Sequence, residues 1–310
     1  MDKARALLIL GPTASGKTAA SLALARKFPC EIISVDSALI YRGMDIGSAK
    51  PTAAERSVCP HHLIDIRDIN ETYSAADFRA DALGLIEAIR ARGRLPLIVG
   101  GTMLYAKALR EGIDELPQTD PAVRAEVNDE GRRIGWPAMH ERLASVDPVT
   151  AARLAPNDSQ RIARAIEVYR MTGRALSSLQ AGVREPDPGI LTYGLVPADR
   201  ALLHERISLR FDEMVRAGFL DEVRSLMKSP AFDPESPAMR CVGYRQAIAH
   251  LTGECGFDEF LERGKAATRQ LAKRQMTWLR SMQGVTFFDP FTETPQLFES
   301  LKEAARRIID

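Results

Sequence analysis

Residues 11–18 read Gly11-Pro12-Thr13-Ala14-Ser15-Gly16-Lys17-Thr18, a G-x-x-x-x-G-K-[ST] stretch. It follows the apolar run Ala6-Leu7-Leu8-Ile9-Leu10 and leads into Ala19–Ala25, which reads as a helix. In this strand–loop–helix context the two glycines let the backbone bend so that several N–H groups point into one concavity. The positive end of the following helix faces the same point. Lys17 adds a full charge, and the Thr18 hydroxyl suits Mg²⁺. The loop therefore calls for a pyrophosphate-like group. It does not say which phosphorylated molecule binds, or which bond breaks.

The rest of the chain reads as an α/β protein with a helical insertion. Glu31-Ile32-Ile33-Ser34-Val35-Asp36 is predicted as a second strand ending in a carboxylate, and Leu95–Val99 as a third, running into Gly100-Gly101-Thr102. His61–Ile66 reads as a short edge strand. Between them, residues 73–91 form a predicted helix capped by Ser74 with Asp77 three residues on, burying Phe78, Ala82, Leu85, Ile86 and Ile89. From about residue 116 to 189 no strand pattern occurs, and helical segments are expected at 121–134, 137–145, 148–154, 158–172 and 174–181. The α/β pattern resumes with Ile190–Val196. A long helix over 200–228, another over 258–283, a fifth strand at Val285–Phe288 and a terminal helix over 293–309 follow. The expected division is thus a P-loop α/β core, 1–115 with 190–310, and a helical insertion, 116–189, where a kinase lid would sit.

Because ligands of parallel sheets bind beyond the carboxyl ends of the strands, the P-loop, Asp36 and Thr102 are expected to share one crevice. Asp36 is either a Walker-B-like aspartate holding Mg²⁺ through water or a general base facing a second substrate. Thr102 is either a turn residue or a hydroxyl donor at the reacting centre. His61 and His62 lack metal-ligand spacing and read as structural.

Charge narrows the partners. The 310 residues carry a net charge of +1, so no global field announces nucleic acid, and any basic surface must be local. Between Arg263 and Phe288 there is no acidic residue, yet there are six basic ones. At 100° per residue Arg269, Lys273 and Arg280 fall within about 40° of one another, with Leu271, Trp278 and Met282 opposite as the anchoring face. Further basic clusters lie at Gln160–Arg164 with Arg170 and Arg174, and at Arg240–Arg245, where Tyr244 offers a ring for base stacking. Four scattered cysteines without C-x-x-C spacing argue against zinc or a disulfide framework and fit a reducing cytosol. No stretch is long and apolar enough for a membrane span or a signal peptide.

Taken together, GPTASGKT (11–18), SVDSALIYRGMDIGSAKP (34–51), HHLIDI (61–66), YSAADF (73–78), VGGTMLY (99–105), NDSQRIARAIEV (157–168), RCVGYRQ (240–246) and ATRQLAKRQMTWLR (267–280) closely resemble the tRNA dimethylallyltransferases, in family order. The resemblance is to the bacterial form, lacking a C-terminal zinc finger. It implies transfer of a dimethylallyl group from dimethylallyl diphosphate to the exocyclic amine of the adenosine 3′ to the anticodon, with Mg²⁺. It also implies that loop 11–18 cradles the diphosphate, with Lys17 stabilising the leaving charge, that Asp36 accepts hydrogen from the amine, and that Thr102 lines the channel. Residues implied to touch tRNA are Asp36, Ser37, Ala38, Leu39, Thr102 and Arg124. Gln160, Arg161, Ile162, Ala163 and Arg164 belong to the same implied set, as do Arg240, Cys241, Val242, Gly243, Tyr244 and Arg245. So do Lys273, Arg274, Gln275, Met276, Thr277, Trp278, Leu279 and Arg280. Many relatives carry Gln where this chain has Leu39, so the Leu39 side chain has no polar role. A cytoplasmic monomer is expected. The residues alone leave open a P-loop nucleoside or small-molecule kinase, a prenyl transferase acting on free adenine nucleotide, and an RNA-binding NTPase switch. The long basic helix speaks against the second, and switch elements are missing for the third.

Overall fold

The computed structural model describes residues 4–114, 116–180, 182 and 184–309. Six strands, β1 (Ala6–Leu10), β2 (Cys30–Val35), β3 (His61–His62), β4 (Leu95–Gly100), β5 (Ile190–Leu195) and β6 (Val285–Phe288), form one sheet in the order β3-β2-β4-β1-β5-β6. All pairings are parallel. β1 is central, with Leu8 opposite Ile98 on one side and Thr192 on the other.

The helices are α1 (Lys17–Ala25), α2 (Ala53–Arg56), α3 (Ala75–Ala91), α4 (Met103–Glu111), α5 (Pro121–Ile134), α6 (Trp136–Val146), α7 (Pro148–Ala151), α8 (Ser159–Thr172) and α9 (Leu176–Leu179). They continue as α10 (Arg200–Arg216), α11 (Phe219–Met227), α12 (Tyr244–Leu251), α13 (Phe257–Arg280) and α14 (Thr294–Ile309). Among the described residues, no helix is long and apolar enough to cross a membrane.

Sheet strands buried on both faces need apolar residues at every position rather than at alternate ones. β1 shows this: Leu8 and Leu10 join the core formed with α3, α4 and α10 to α13, while Leu7 and Ile9 join the core formed with α1 and α14. The α3 start has the expected reciprocal cap, with Asp77 N–H donating to Ser74 Oγ at 3.1 Å and Ser74 N–H to Asp77 Oδ2 at 2.8 Å.

The chain divides into two compact units, Met1–Glu111 with Pro186–Asp310, and Gly112–Glu185. Among its described residues the second has helices and no strand, built around Val127, Met139, Leu143, Ile162 and Val168. Two local readings are corrected. The expected helix over 200–228 is broken at Gly218, whose φ of 98° lies in the left-handed region, so α10 ends and α11 begins there. The expected edge strand over His61–Ile66 pairs only at His61 and His62, because Leu63 and Asp65 take φ values of 59° and 58° that end the extended run.

Candidate active site

The P-loop leaves β1 and wraps the start of α1. Ala14 takes φ 62° and Gly16 φ 86°, turning successive N–H groups inward. Gly11 is close to Ser15, whose Oγ would lie 2.6 Å from a Cβ there, so the first glycine is set by the loop's own tightness. Ser15 Oγ is itself buried with no protein partner. Lys17 Nζ donates to Pro12 O at 2.6 Å across the loop mouth.

Asp36 stands one residue beyond the carboxyl end of β2, and Thr102 two beyond that of β4. The two strand ends are pinned: the N–H groups of Gly101 and Thr102 both donate to Val35 O at 3.1 Å. A Cβ on Gly100 would lie 2.1 Å from that oxygen, so only glycine permits the approach. Thr102 Oγ1 accepts the Ser37 N–H at 3.0 Å, and Asp36 Oδ1 accepts the Ala38 N–H at 2.9 Å. Lys17, Asp36, Leu39 and Thr102 line one cavity of about 600 Å³, with Leu104, Phe211, Met214 and Trp278 on its apolar wall. A second cavity of about 1570 Å³ opens on the outer side of the P-loop, and Lys17, Thr18, Arg210 and Met214 line both.

Electrostatics follow from this enclosure. Packing of protein atoms around the Lys17 ammonium brings its pKa down to about 7, Arg210 adds to the lowering, and Asp36 opposes it. Burial raises the Asp36 carboxyl above its ordinary range, against the Ala38 N–H, Lys17, the Leu39 N–H and Arg210, which favour the charged form. Two basic side chains, Lys17 and Arg210, thus stand near one carboxylate, an arrangement suited to an added anionic group.

No group of three or more His, Cys, Asp or Glu side chains suited to a metal occurs among the described residues. The fitting donor is the exposed Thr18 hydroxyl at the junction of the two cavities. Mg²⁺ commonly takes one or two protein ligands and completes its shell from substrate phosphates and water, and one hydroxyl beside an anion cradle suits that habit.

Arg210 and Arg206 escaped the sequence reading. Both lie on α10, one turn apart, next to its buried Leu203, Ile207 and Phe211. Arg206 Nε donates to Ala14 O at 3.0 Å and its guanidinium lies over the Phe291 ring at 5.0 Å. The available signal was the i, i+4 arginine pair flanking an apolar stripe.

On α13 the buried face is Phe260, Gly264, Ala272, Met276 and Leu279; of the predicted anchoring residues Met282, just past the helix, is buried, Leu271 is half-buried and Trp278 turns outward. Trp278 is 39% exposed and lines the smaller cavity. Lys273, Arg274, Thr277 and Arg280 are exposed. The expectation that Tyr244 stacks on a base is corrected: its ring is fully buried against Phe219, and its hydroxyl donates to Glu222 Oε1 at 2.6 Å. Glu222 also accepts the N–H groups of Asp45, Ile46 and Gly47, so Tyr244 underpins loop 45–50. Arg240, Cys241, Val242 and Gly243 line the smaller cavity, and Arg245 is exposed.

In the helical unit Arg124, Gln160 and Arg161 are exposed, whereas Ile162 and Ala163 are buried in its core. Their side chains are closed to any ligand as placed. Arg164 is engaged with Glu167 at 2.7 Å and with Pro117 O at 2.6 Å.

A family model described as IPP transferase matches residues 39–282. A tRNA dimethylallyltransferase of Bordetella avium is 60% identical over 278 residues, covering 89% of each chain. One of Ralstonia nicotianae is 60% identical over 285 residues, covering 89% of this chain and 88% of that one. Among solved structures, the tRNA isopentenylpyrophosphate transferase of Bacillus halodurans aligns with a TM-score of 0.71 and 35% identity over 99% of this chain and 98% of its own. A eukaryotic dimethylallyltransferase described as acting on tRNA aligns with a TM-score of 0.81 and 27% identity, covering 97% of this chain and 77% of that one.

Proposed function

Because the chain belongs to the IPP transferase family, we propose that it moves a dimethylallyl group from dimethylallyl diphosphate to the exocyclic amine of a tRNA adenosine, the one 3′ to the anticodon. The observation that carries this reading is one cavity lined by both Lys17 of the phosphate loop and the Asp36 carboxylate. The same cavity carries an apolar wall, Leu39, Leu104, Phe211, Met214 and Trp278, which suits a five-carbon allyl chain. The kinase reading that the P-loop left open finds no counterpart among the named relatives.

The chemistry follows from the residues. The N–C bond to the allyl carbon forms as the bond from that carbon to the diphosphate oxygen breaks, its electron pair leaving with diphosphate. Charge develops on the leaving oxygens, where the P-loop N–H groups, Lys17 and Arg210 oppose it. When bound, Mg²⁺ would be held by the Thr18 hydroxyl and would supply further neutralisation of the leaving group. The amine turns cationic as it bonds, and its proton passes to the Asp36 carboxylate, leaving the neutral alkylated amine. Thr102 fixes the loop that presents Asp36, through Ser37.

The target base must leave its stack to enter the cavity, at a cost of a few kcal/mol. A single-stranded anticodon loop makes this cheapest. The exposed cations of α13, with Arg240, Arg245, Arg124 and Arg161, are the proposed contacts to the RNA backbone. The helical unit acts as the second RNA-binding element, and the protein works as a cytoplasmic monomer. Incubation with labelled dimethylallyl diphosphate and an anticodon stem-loop carrying consecutive adenosines tests the reading, and failure to label the RNA contradicts it.

A further inference from the structure

Gln275 lies on α13 between the exposed Arg274 and the buried Met276. Its side chain reaches the phosphate loop. Oε1 accepts the Thr13 N–H at 3.0 Å, and Nε2 donates to Gly101 O at 2.9 Å. A Cβ on Gly101 would lie 2.5 Å from Nε2, so the bare glycine is what admits the amide. A terminal amide offers an acceptor and donors at fixed separation without charge. That combination lets one side chain join an N–H on one segment to a carbonyl on another.

Both segments belong to the proposed reaction centre. Thr13 is part of the loop proposed to hold diphosphate. Gly101 precedes Thr102, which accepts the Ser37 N–H beside Asp36. The third party is α13 itself. Its Ala272, Met276 and Leu279 are packed inward, while Lys273, Arg274 and Thr277, within one turn of Gln275, and Arg280 beyond them are exposed. A helix docked on an RNA backbone through these cations moves or stiffens as a unit. Gln275 links that helix directly to Thr13 and Gly101.

Resting on the transferase reading above, we propose that Gln275 is a positioning residue that couples RNA docking on α13 to diphosphate binding at loop 11–18, and is not itself an RNA contact. Such coupling is reciprocal: each ligand raises the other's affinity by the same factor. It favours reaction only when both substrates are in place, since RNA-bound α13 holds the phosphate loop and the Thr102 segment in register.

The test uses the full chain with two probes. One is an anticodon stem-loop RNA, and the other is the thiolo analogue of dimethylallyl diphosphate, whose bridging sulfur slows transfer. In the unmodified protein each probe tightens binding of the other by about fivefold or more. Gln275→Met brings that factor to within about twofold of unity, leaves affinity for RNA alone unchanged, and lowers kcat by roughly 10- to 100-fold through misplacement of the donor. Gln275→Glu keeps an acceptor for Thr13 but loses the donor to Gly101, and gives an intermediate factor. It also carries the test should the methionine variant fail to fold. Lys273→Ala behaves oppositely, weakening RNA binding alone while retaining the coupling factor. A coupling factor unchanged in Gln275→Met overturns the proposal. So does a salt-dependent loss of affinity for RNA alone, which marks a direct contact. An unmodified protein that transfers the dimethylallyl group without any coupling rejects the role of Gln275. One that transfers none rejects the underlying reading.

Discussion

The Thr102 hydroxyl oxygen accepts the backbone N–H of Ser37 at 3.0 Å, one residue past Asp36. Through this bond the end of β4 holds the turn that presents the Asp36 carboxylate. Asn at position 36 retains an oxygen to accept the Ala38 N–H but loses the basicity of the carboxylate. Asp36→Asn is therefore expected to keep RNA affinity while losing about 10²- to 10⁴-fold in single-turnover rate. Unchanged turnover removes Asp36 from the proton-accepting role.

The pH dependence follows with a definite sign. Burial raises the Asp36 carboxyl above its ordinary range, although Lys17, Arg210 and two backbone N–H groups restrain it. The reactive form is the carboxylate, so the rate falls as pH drops through the raised pKa. The acid limb of kcat, measured with both substrates saturating, is expected to lie above the usual value of about 3.9 for aspartate. It should disappear in Asp36→Asn. A limb at or below the ordinary carboxylate range contradicts this.

Arg210 lines both cavities beside Lys17. A charge-assisted contact to diphosphate is lost in Arg210→Gln, and KM for dimethylallyl diphosphate should rise about 10- to 100-fold. Equilibrium binding of the stem-loop RNA alone should not change. An unaltered KM places Arg210 outside the diphosphate contacts.

How far the sequence reached depended on what each residue needed from its neighbours. The P-loop was legible because Gly11, Gly16, Lys17 and Thr18 are local and the flanking strand and helix are continuous in sequence. Ser74 and Asp77 were legible for the same reason. The sheet's two-sided burial was written in the unbroken apolar run Ala6–Leu10. Tyr244 was misjudged because its fate depends on Phe219 and Glu222, which belong to another helix. The face of α13 was misjudged because Trp278 turns to a cavity wall while small Ala272 packs inward. Arg206 and Gln275 reach the P-loop from positions 192 and 262 residues away in the chain, and no local pattern encodes such a reach.

Glu222 accepts N–H groups from Asp45, Ile46 and Gly47 at 2.9, 2.6 and 3.1 Å, besides the Tyr244 hydroxyl at 2.6 Å. Gln in its place turns one acceptor oxygen into an amine that faces donors. Glu222→Gln is expected to lower unfolding free energy by about 1–3 kcal/mol, read as a lower urea midpoint at unchanged m-value. A midpoint equal to that of the unmodified protein shows that loop 45–47 does not depend on this carboxylate.

The central claim is that the phosphate loop holds a leaving diphosphate rather than a transferred phosphoryl group. The most direct measurement offers the protein an anticodon stem-loop with consecutive adenosines, Mg²⁺, and either dimethylallyl diphosphate labelled in the allyl chain or ATP labelled in the γ-phosphate. The account predicts allyl label on the exocyclic amine of the adenosine 3′ to the anticodon, with release of one diphosphate per group transferred, and no label from ATP. Label from ATP on an acceptor, with none from dimethylallyl diphosphate, contradicts it.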